Sequence, residues 1–188
     1  VVANNEAGAP FGMGGSDRKI KIPSLMVNQA DGATLVGLAG TSANLSSYPV
    51  VPLQIDGDID ADIVFHEYGH GLTWRMVGDM SGPLAGAIGE GASDVVAFLN
   101  NGDDRIGEYS YSDPVGIRRY PYTGYPLKYG AVTGAEVHDD GEIYAAAMWA
   151  VRENYLAAGL SDSNLMDDFV HGLDATPARP AFENMRDG

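Results

Sequence analysis

Two histidines four residues apart, with a glutamate directly after the first, form the sharpest chemical pattern in the chain: His66-Glu67-Tyr68-Gly69-His70. On a helix of 3.6 residues per turn, positions i and i+4 lie about 40° apart on one face, so both imidazoles reach the same point. Two imidazoles so placed can grip one zinc ion, and the Glu67 carboxylate between them reaches water at that ion. After 19 more residues, Gly89-Glu90-Gly91-Ala92-Ser93-Asp94 again sets two acids at i and i+4. Glu90 completes a set of two histidines and one glutamate, which leaves a fourth position for water. Asp94 is then spaced to accept the free N–H of a ligating imidazole, fixing its tautomer and raising its basicity. Glycines and alanines surround both acids, as close packing of helices around a buried charge requires.

The elements that must position these groups follow from periodicity. Ile63, Val64, Tyr68, Leu72 and Met76 recur at helical spacing, so residues 60–77 read as one helix with Asp60 and Asp62 at its positive end. Residues 85–99 read as a second helix, rich in small residues and ended by Asn100-Asn101-Gly102. An irregular stretch rich in Gly, Tyr, Pro and Asp covers 102–135. Residues 142–158 form a strong Ala-rich helix closed by Gly159, residues 162–172 a shorter one, and residues 177–188 a loop entering another. Ahead of these, Val1-Val2-Ala3 reads as the end of a buried strand and Lys19 to Val27 as an alternating strand bent at Pro23. Asp31-Gly32 reads as a turn into a short helix over 33–38.

The ordered set of motifs resembles the thermolysin-like zinc peptidases with a glutamate as third ligand, and most closely the fungalysin family. The pieces are Asp56-Gly-Asp-Ile-Asp, His66-Glu-Tyr-Gly-His-Gly71, Glu90 with Asp94, and Gly116-Ile-Arg-Arg-Tyr-Pro-Tyr122. Pro126-Leu-Lys-Tyr-Gly130, Val137-His-Asp-Asp-Gly-Glu142 and Thr176-Pro-Ala-Arg-Pro-Ala-Phe182 follow in the family's order. The chain departs from the pattern in two places. Ala92 stands where the family usually has Trp, and Asp139-Asp140 replace a small and an apolar residue, bringing negative charge towards His138.

What the resemblance implies is a secreted zinc endopeptidase acting on protein or peptide substrates. His66, His70 and Glu90 hold the metal, Glu67 is the general base, and His138 stabilises the oxyanion with help from one of Tyr120, Tyr122 and Tyr129. It also implies a calcium site at Asp62, which lies four residues before the first zinc histidine, with Asp103, Asp104 and Glu108 in the acidic loop beyond the second helix. The run Asp56-x-Asp58-x-Asp60 is not itself a calcium loop, since Ala61 fills the position where glycine is required. The rival readings are an inactive or binding-only relative that keeps the fold, and a zinc aminopeptidase with the same ligands. Residues 1–40 resemble the C-terminal part of a protease-associated domain, with 41–55 as linker and 56–188 as the catalytic region. The expected fold class is therefore α+β: a mainly helical thermolysin-like half behind a partial α/β module.

Composition narrows the field further. The 188 residues carry 26 acidic against 11 basic side chains, a net charge of −15, which disfavours binding to nucleic acid phosphates. No apolar run is long enough to span a bilayer. With no cysteine, disulfides, thiolate zinc ligands and a cysteine nucleophile are all excluded, so a zinc site must be built from His and carboxylate groups. The oligomeric state is not legible.

Overall fold

The computed structural model describes residues 2–3, 26–42 and 56–187. The chain divides into two units, Val1–Val50 and Val51–Gly188. In the first, β1 (Val2–Ala3) pairs in parallel with β2 (Met26–Val27), and α1 spans Gln29–Gly37. The expected turn at Asp31-Gly32 is instead the first turn of α1. Asn28 caps the helix by accepting from the Asp31 amide at 2.8 Å, which starts it before the Asp-Gly pair. Gly32 is the buried residue of α1, and a side chain there would run into Ala3 Cβ. Ala3 itself is exposed, so the expected burial of this strand does not hold there. The rest of the expected Lys19–Val27 strand lies outside the described residues, as do most of the segments read as turns and linker before Asp56.

The second unit is built around one helix. α3 (Pro83–Asn101) begins with Pro at its first turn and ends at Gly102 in the left-handed conformation (φ 74°). It is buried around its whole circumference over one stretch: every residue from Gly91 to Leu99 is buried, Ser93 and Asp94 included, which marks a helix enclosed by others. α2 (Ala61–Met76) packs on one side and α5 (Val137–Ala157) on the other, with α6 (Asp162–Ala175) and α7 (Phe182–Asp187) beyond. α4 (Glu108–Tyr111) is a single turn within the irregular stretch. Phe98 anchors the core, its ring 5.8 Å from that of Tyr122 and 5.1 Å from that of Trp149.

Close approach, not bulk, brings the chemistry together. A Cβ on Gly141 of α5 would lie 2.7 Å from the Ala87 carbonyl and 2.8 Å from Glu90 Cβ, and one on Gly91 would collide with the Gly141 carbonyl. Where α2 crosses α3, a Cβ on Gly69 would lie 2.6 Å from Ser93 Cα. Glycine at each crossing lets the backbones carrying His66, His70, Glu90 and His138 approach without displacing one another.

α5 differs from its expected span by starting five residues earlier, at Val137. Glu136 caps it by accepting from the Asp139 amide at 2.8 Å, so an acid-rich first turn followed by Gly141 is helical despite poor intrinsic propensity. His138 therefore sits on the first turn of a helix.

Candidate metal centre

α2 presents His66 and His70 one turn apart, their rings meeting edge to face with centroids 4.8 Å apart. α3 brings Glu90 against both: His66 Nε2 lies 3.3 Å from Oε2, and His70 Nε2 lies 3.6 Å from Oε1. Among the described residues, these three form the only group of three or more His, Asp or Glu whose ligand atoms all lie within 4.8 Å of one another. Ligands about 2.05 Å from a tetrahedral zinc are themselves about 3.3 Å apart, so the spacing fits that ion. A further sign is that Glu90 Oε2 is buried with no hydrogen bond to any protein donor. A buried carboxylate oxygen left unpaired is costly, and a cation removes that cost.

Asp94, one turn beyond Glu90 on α3, is 1% exposed. Its Oδ1 accepts from His66 Nδ1 at 2.6 Å, so the proton sits on Nδ1 and Nε2 is free to ligate. Arg118 grips the same carboxylate through Nε at 2.7 Å and Nη2 at 2.8 Å, and the Tyr122 hydroxyl donates to Oδ2. Burial alone would raise the Asp94 pKa, but the Arg118 charge and the His66 and Arg118 hydrogen bonds bring it down to about 2. Burial likewise opposes charge on His66, yet the hydrogen-bonded Asp94 carboxylate and the Glu90 carboxylate beside Nε2 raise its pKa to about 9. Burial lowers the His70 pKa. Burial also works to raise that of Glu90, and the facing histidines outweigh it and lower it.

His138 enters from α5 with Nε2 3.3 Å from Glu90 Oε2, and its Nδ1 lies 2.7 Å from Glu136 Oε1. Three imidazole nitrogens thus converge on one carboxylate. Of the tyrosines offered as partners for His138, none forms a hydrogen bond or ring contact with it among the described residues. The Tyr122 hydroxyl goes to Asp94, Tyr120 packs on Tyr125, and Tyr129 packs on Phe182. The negative charge expected near His138 from Asp139 and Asp140 is also redirected. Asp140 is buried and accepts from the Thr133 and Gly134 amides at 3.0 and 2.6 Å, while Asp139 pairs with Arg119 at 3.3 Å. Adjacent residues on a helix do not share a face, and the acids that reach the ring are Glu90 on α3 and Glu136 at the cap of α5. Ala92 is fully buried in the core on α3.

Glu67 is exposed and, among the described residues, takes part in no hydrogen bond or ion pair. The four acids read as calcium ligands are not gathered into one ligand group. Asp62 accepts from Asn101 Nδ2 at 2.5 Å and from the Gly107 amide at 3.0 Å, Asp103 from the Arg105 amide, and Asp104 from the Thr123 amide. Glu108 differs, because its Oε2 is buried without a partner, and burial together with Asp103 and Asp62 raises its pKa. A cavity of about 610 Å³ is lined by Tyr122, Tyr125, Trp149 and Phe182 among others, and His66, His70, Glu90 and His138 are not in its lining.

Glu136 and Trp74, whose indole stacks on His70, escaped the sequence reading; Arg118 and Tyr122 stand in a motif it quoted, with Tyr122 offered as a helper of His138, but their role at Asp94 was not read. Glu136 and Trp74 had a local signal, at two and four residues from a proposed functional histidine. Arg118 and Tyr122 reach Asp94 across 24 and 28 residues of chain, a separation that carries no periodic signal.

A helical unit with histidines and glutamate converging from adjacent helices defines a metallopeptidase architecture, and the chain belongs to the fungalysin metallopeptidase family (M36), whose sequence model matches residues 26–188. Members of this family depend on zinc. Among relatives, the extracellular metalloproteinase mep of Aspergillus terreus is 38% identical over 167 residues, covering 70% of this chain and 26% of that protein. Extracellular metalloproteinase 2 of Trichophyton tonsurans is 34% identical over 152 residues, covering 71% and 24%. The chain thus spans about a quarter of the length of these relatives.

Proposed function

We propose that this chain carries the zinc-binding and catalytic helices of a secreted endopeptidase, with His66, His70 and Glu90 as ligands. The observation that carries the reading is the convergence of both histidine Nε2 atoms on the Glu90 carboxylate, whose buried Oε2 has no hydrogen bond, at spacings that suit zinc. Zinc bound there supplies Lewis acidity that polarises a peptide carbonyl and makes water a nucleophile at neutral pH. Glu67, free of protein partners, takes the proton of the attacking water and delivers it to the leaving amine. His138, its Nδ1 held by Glu136, turns Nε2 towards the oxygen on which charge develops. Asp94 fixes the His66 tautomer. Secretion is supported by the relatives' names as extracellular enzymes, and no helix among the described residues is long and apolar enough to cross a membrane. The parallel pair β1–β2 beside α1 supports the protease-associated reading of residues 1–40, with 41–55 as linker and 56–188 as the catalytic region.

The test is metal content with hydrolysis of blocked peptides in the full chain. One zinc per chain is expected, with cleavage abolished by a zinc chelator and restored by added zinc. Absence of bound zinc overturns the proposal. Cleavage confined to peptides with a free amine supports the aminopeptidase alternative, and bound zinc with no cleavage supports the binding-only one. Calcium at Asp62, Asp103, Asp104 and Glu108 is a second part of the proposal, favoured by the buried, unpartnered Glu108 Oε2. Millimolar calcium should raise the Tm of the wild type and leave that of Glu108→Gln unmoved; a wild-type Tm that ignores calcium removes this part.

A further inference from the structure

The two zinc-ligand histidines are held by different means. His66 is fixed at both nitrogens, by Asp94 and Glu90, at 2.6 and 3.3 Å. The His70 imidazole has no hydrogen bond among the described residues, and its Nε2 lies 3.6 Å from Glu90 Oε1. What it has is an aromatic ring on its face: the Trp74 indole lies stacked on the imidazole, centroids 5.7 Å apart and planes 19° from parallel. Trp74 follows His70 by four residues on α2, so the helix itself sets this pairing. The indole is 61% exposed and stands outside the hydrophobic core cluster, so filling the interior does not account for it.

We propose that Trp74 is a positioning residue for the metal centre, holding the His70 imidazole in its ligating orientation by stacking. The inference rests on the metal-centre reading above. An imidazole bound to a dication is electron-poor, and the electron-rich face of an indole attracts it more strongly than the free ring. The stack is therefore stronger with metal bound than without, and that difference appears as metal affinity. Competition with a chromophoric chelator should show Trp74→Ala binding zinc about five-fold more weakly than wild type, with Trp74→Phe retaining most of the affinity. The metal-free Tm of both variants should stay within about 2 °C of wild type, as for surface substitutions generally. The chain has two tryptophans, and the other, Trp149, is buried in the core. Cobalt(II) should therefore quench wild-type emission strongly and the remaining emission of Trp74→Phe weakly. Absence of zinc binding by the wild type overturns the metal-centre reading itself. Equal zinc affinity in wild type and Trp74→Ala overturns this inference alone, as does undiminished cobalt quenching in Trp74→Phe.

Discussion

Glu67→Gln is expected to bind one zinc, unfold at the wild-type temperature, and cleave peptides about 10²–10⁴-fold more slowly than wild type. Each part has its own cause. Zinc is retained because the proposed ligands are His66, His70 and Glu90, and Glu67 is absent from the group of converging ligand atoms. Stability is retained because Glu67 is exposed and forms no hydrogen bond or ion pair among the described residues. The rate falls because an amide of the same shape cannot accept the proton of the attacking water. In barrier terms the loss is about 3–5.5 kcal/mol. Glu90→Gln is the contrasting control, since it weakens the metal centre itself. Metal content, Tm and kcat/KM measured on one preparation separate the outcomes. Zinc lost from Glu67→Gln would make Glu67 a ligand, and full activity with zinc bound would place the base elsewhere.

The metal-ligating pattern was legible because it is local. His66 with His70, and Glu90 with Asp94, are pairs within single helices, and helix geometry alone puts each pair on one face. The family's motif order supplied the third histidine, which no periodicity identifies. What the sequence could not carry was the support around these groups. Arg118 and Tyr122 come from an irregular stretch, positioned by bonds such as that from the Ile117 amide to the Ile106 carbonyl at 2.8 Å. Their link to Asp94 exists only once the chain has folded.

Helix boundaries failed where capping overrode composition. Asn28 drew Asp31 and Gly32 into α1, and Glu136 began α5 ahead of Asp139, Asp140 and Gly141, three residues of poor helix propensity. The second case bears on chemistry, because the same Glu136 carboxylate caps the helix and holds the His138 ring. Capping oxygens accept from backbone amides a few residues on, so a side chain on that first turn finds the cap within reach. The small residues around Glu90 and Asp94 were legible as a sign of close packing, and Gly91 meets Gly141 backbone to backbone.

The largest expected loss of stability belongs to Asp94→Asn. The Asp94 carboxylate accepts from four donors: His66 Nδ1, Arg118 Nε and Nη2, and the Tyr122 hydroxyl. An asparagine has one acceptor oxygen, and its amide must face at least one of these donors with a donor of its own. Arg118, 7% exposed, loses its bidentate partner and is left as an unpaired buried charge. Breaking one side of a buried pair costs about 3–5 kcal/mol, which lowers Tm by roughly 10 °C in a unit of this size. The same change releases the His66 tautomer, so zinc affinity falls by about 10- to 100-fold. Tyr122→Phe is the calibrating variant, because it removes one neutral donor and leaves the ion pair intact, at a cost of about 1 kcal/mol. Thermal unfolding with and without zinc distinguishes the two effects. If Asp94→Asn unfolds within about 2 °C of wild type, the Arg118 pair adds nothing to stability; if its zinc affinity is also unchanged, Asp94 does not orient the ligand.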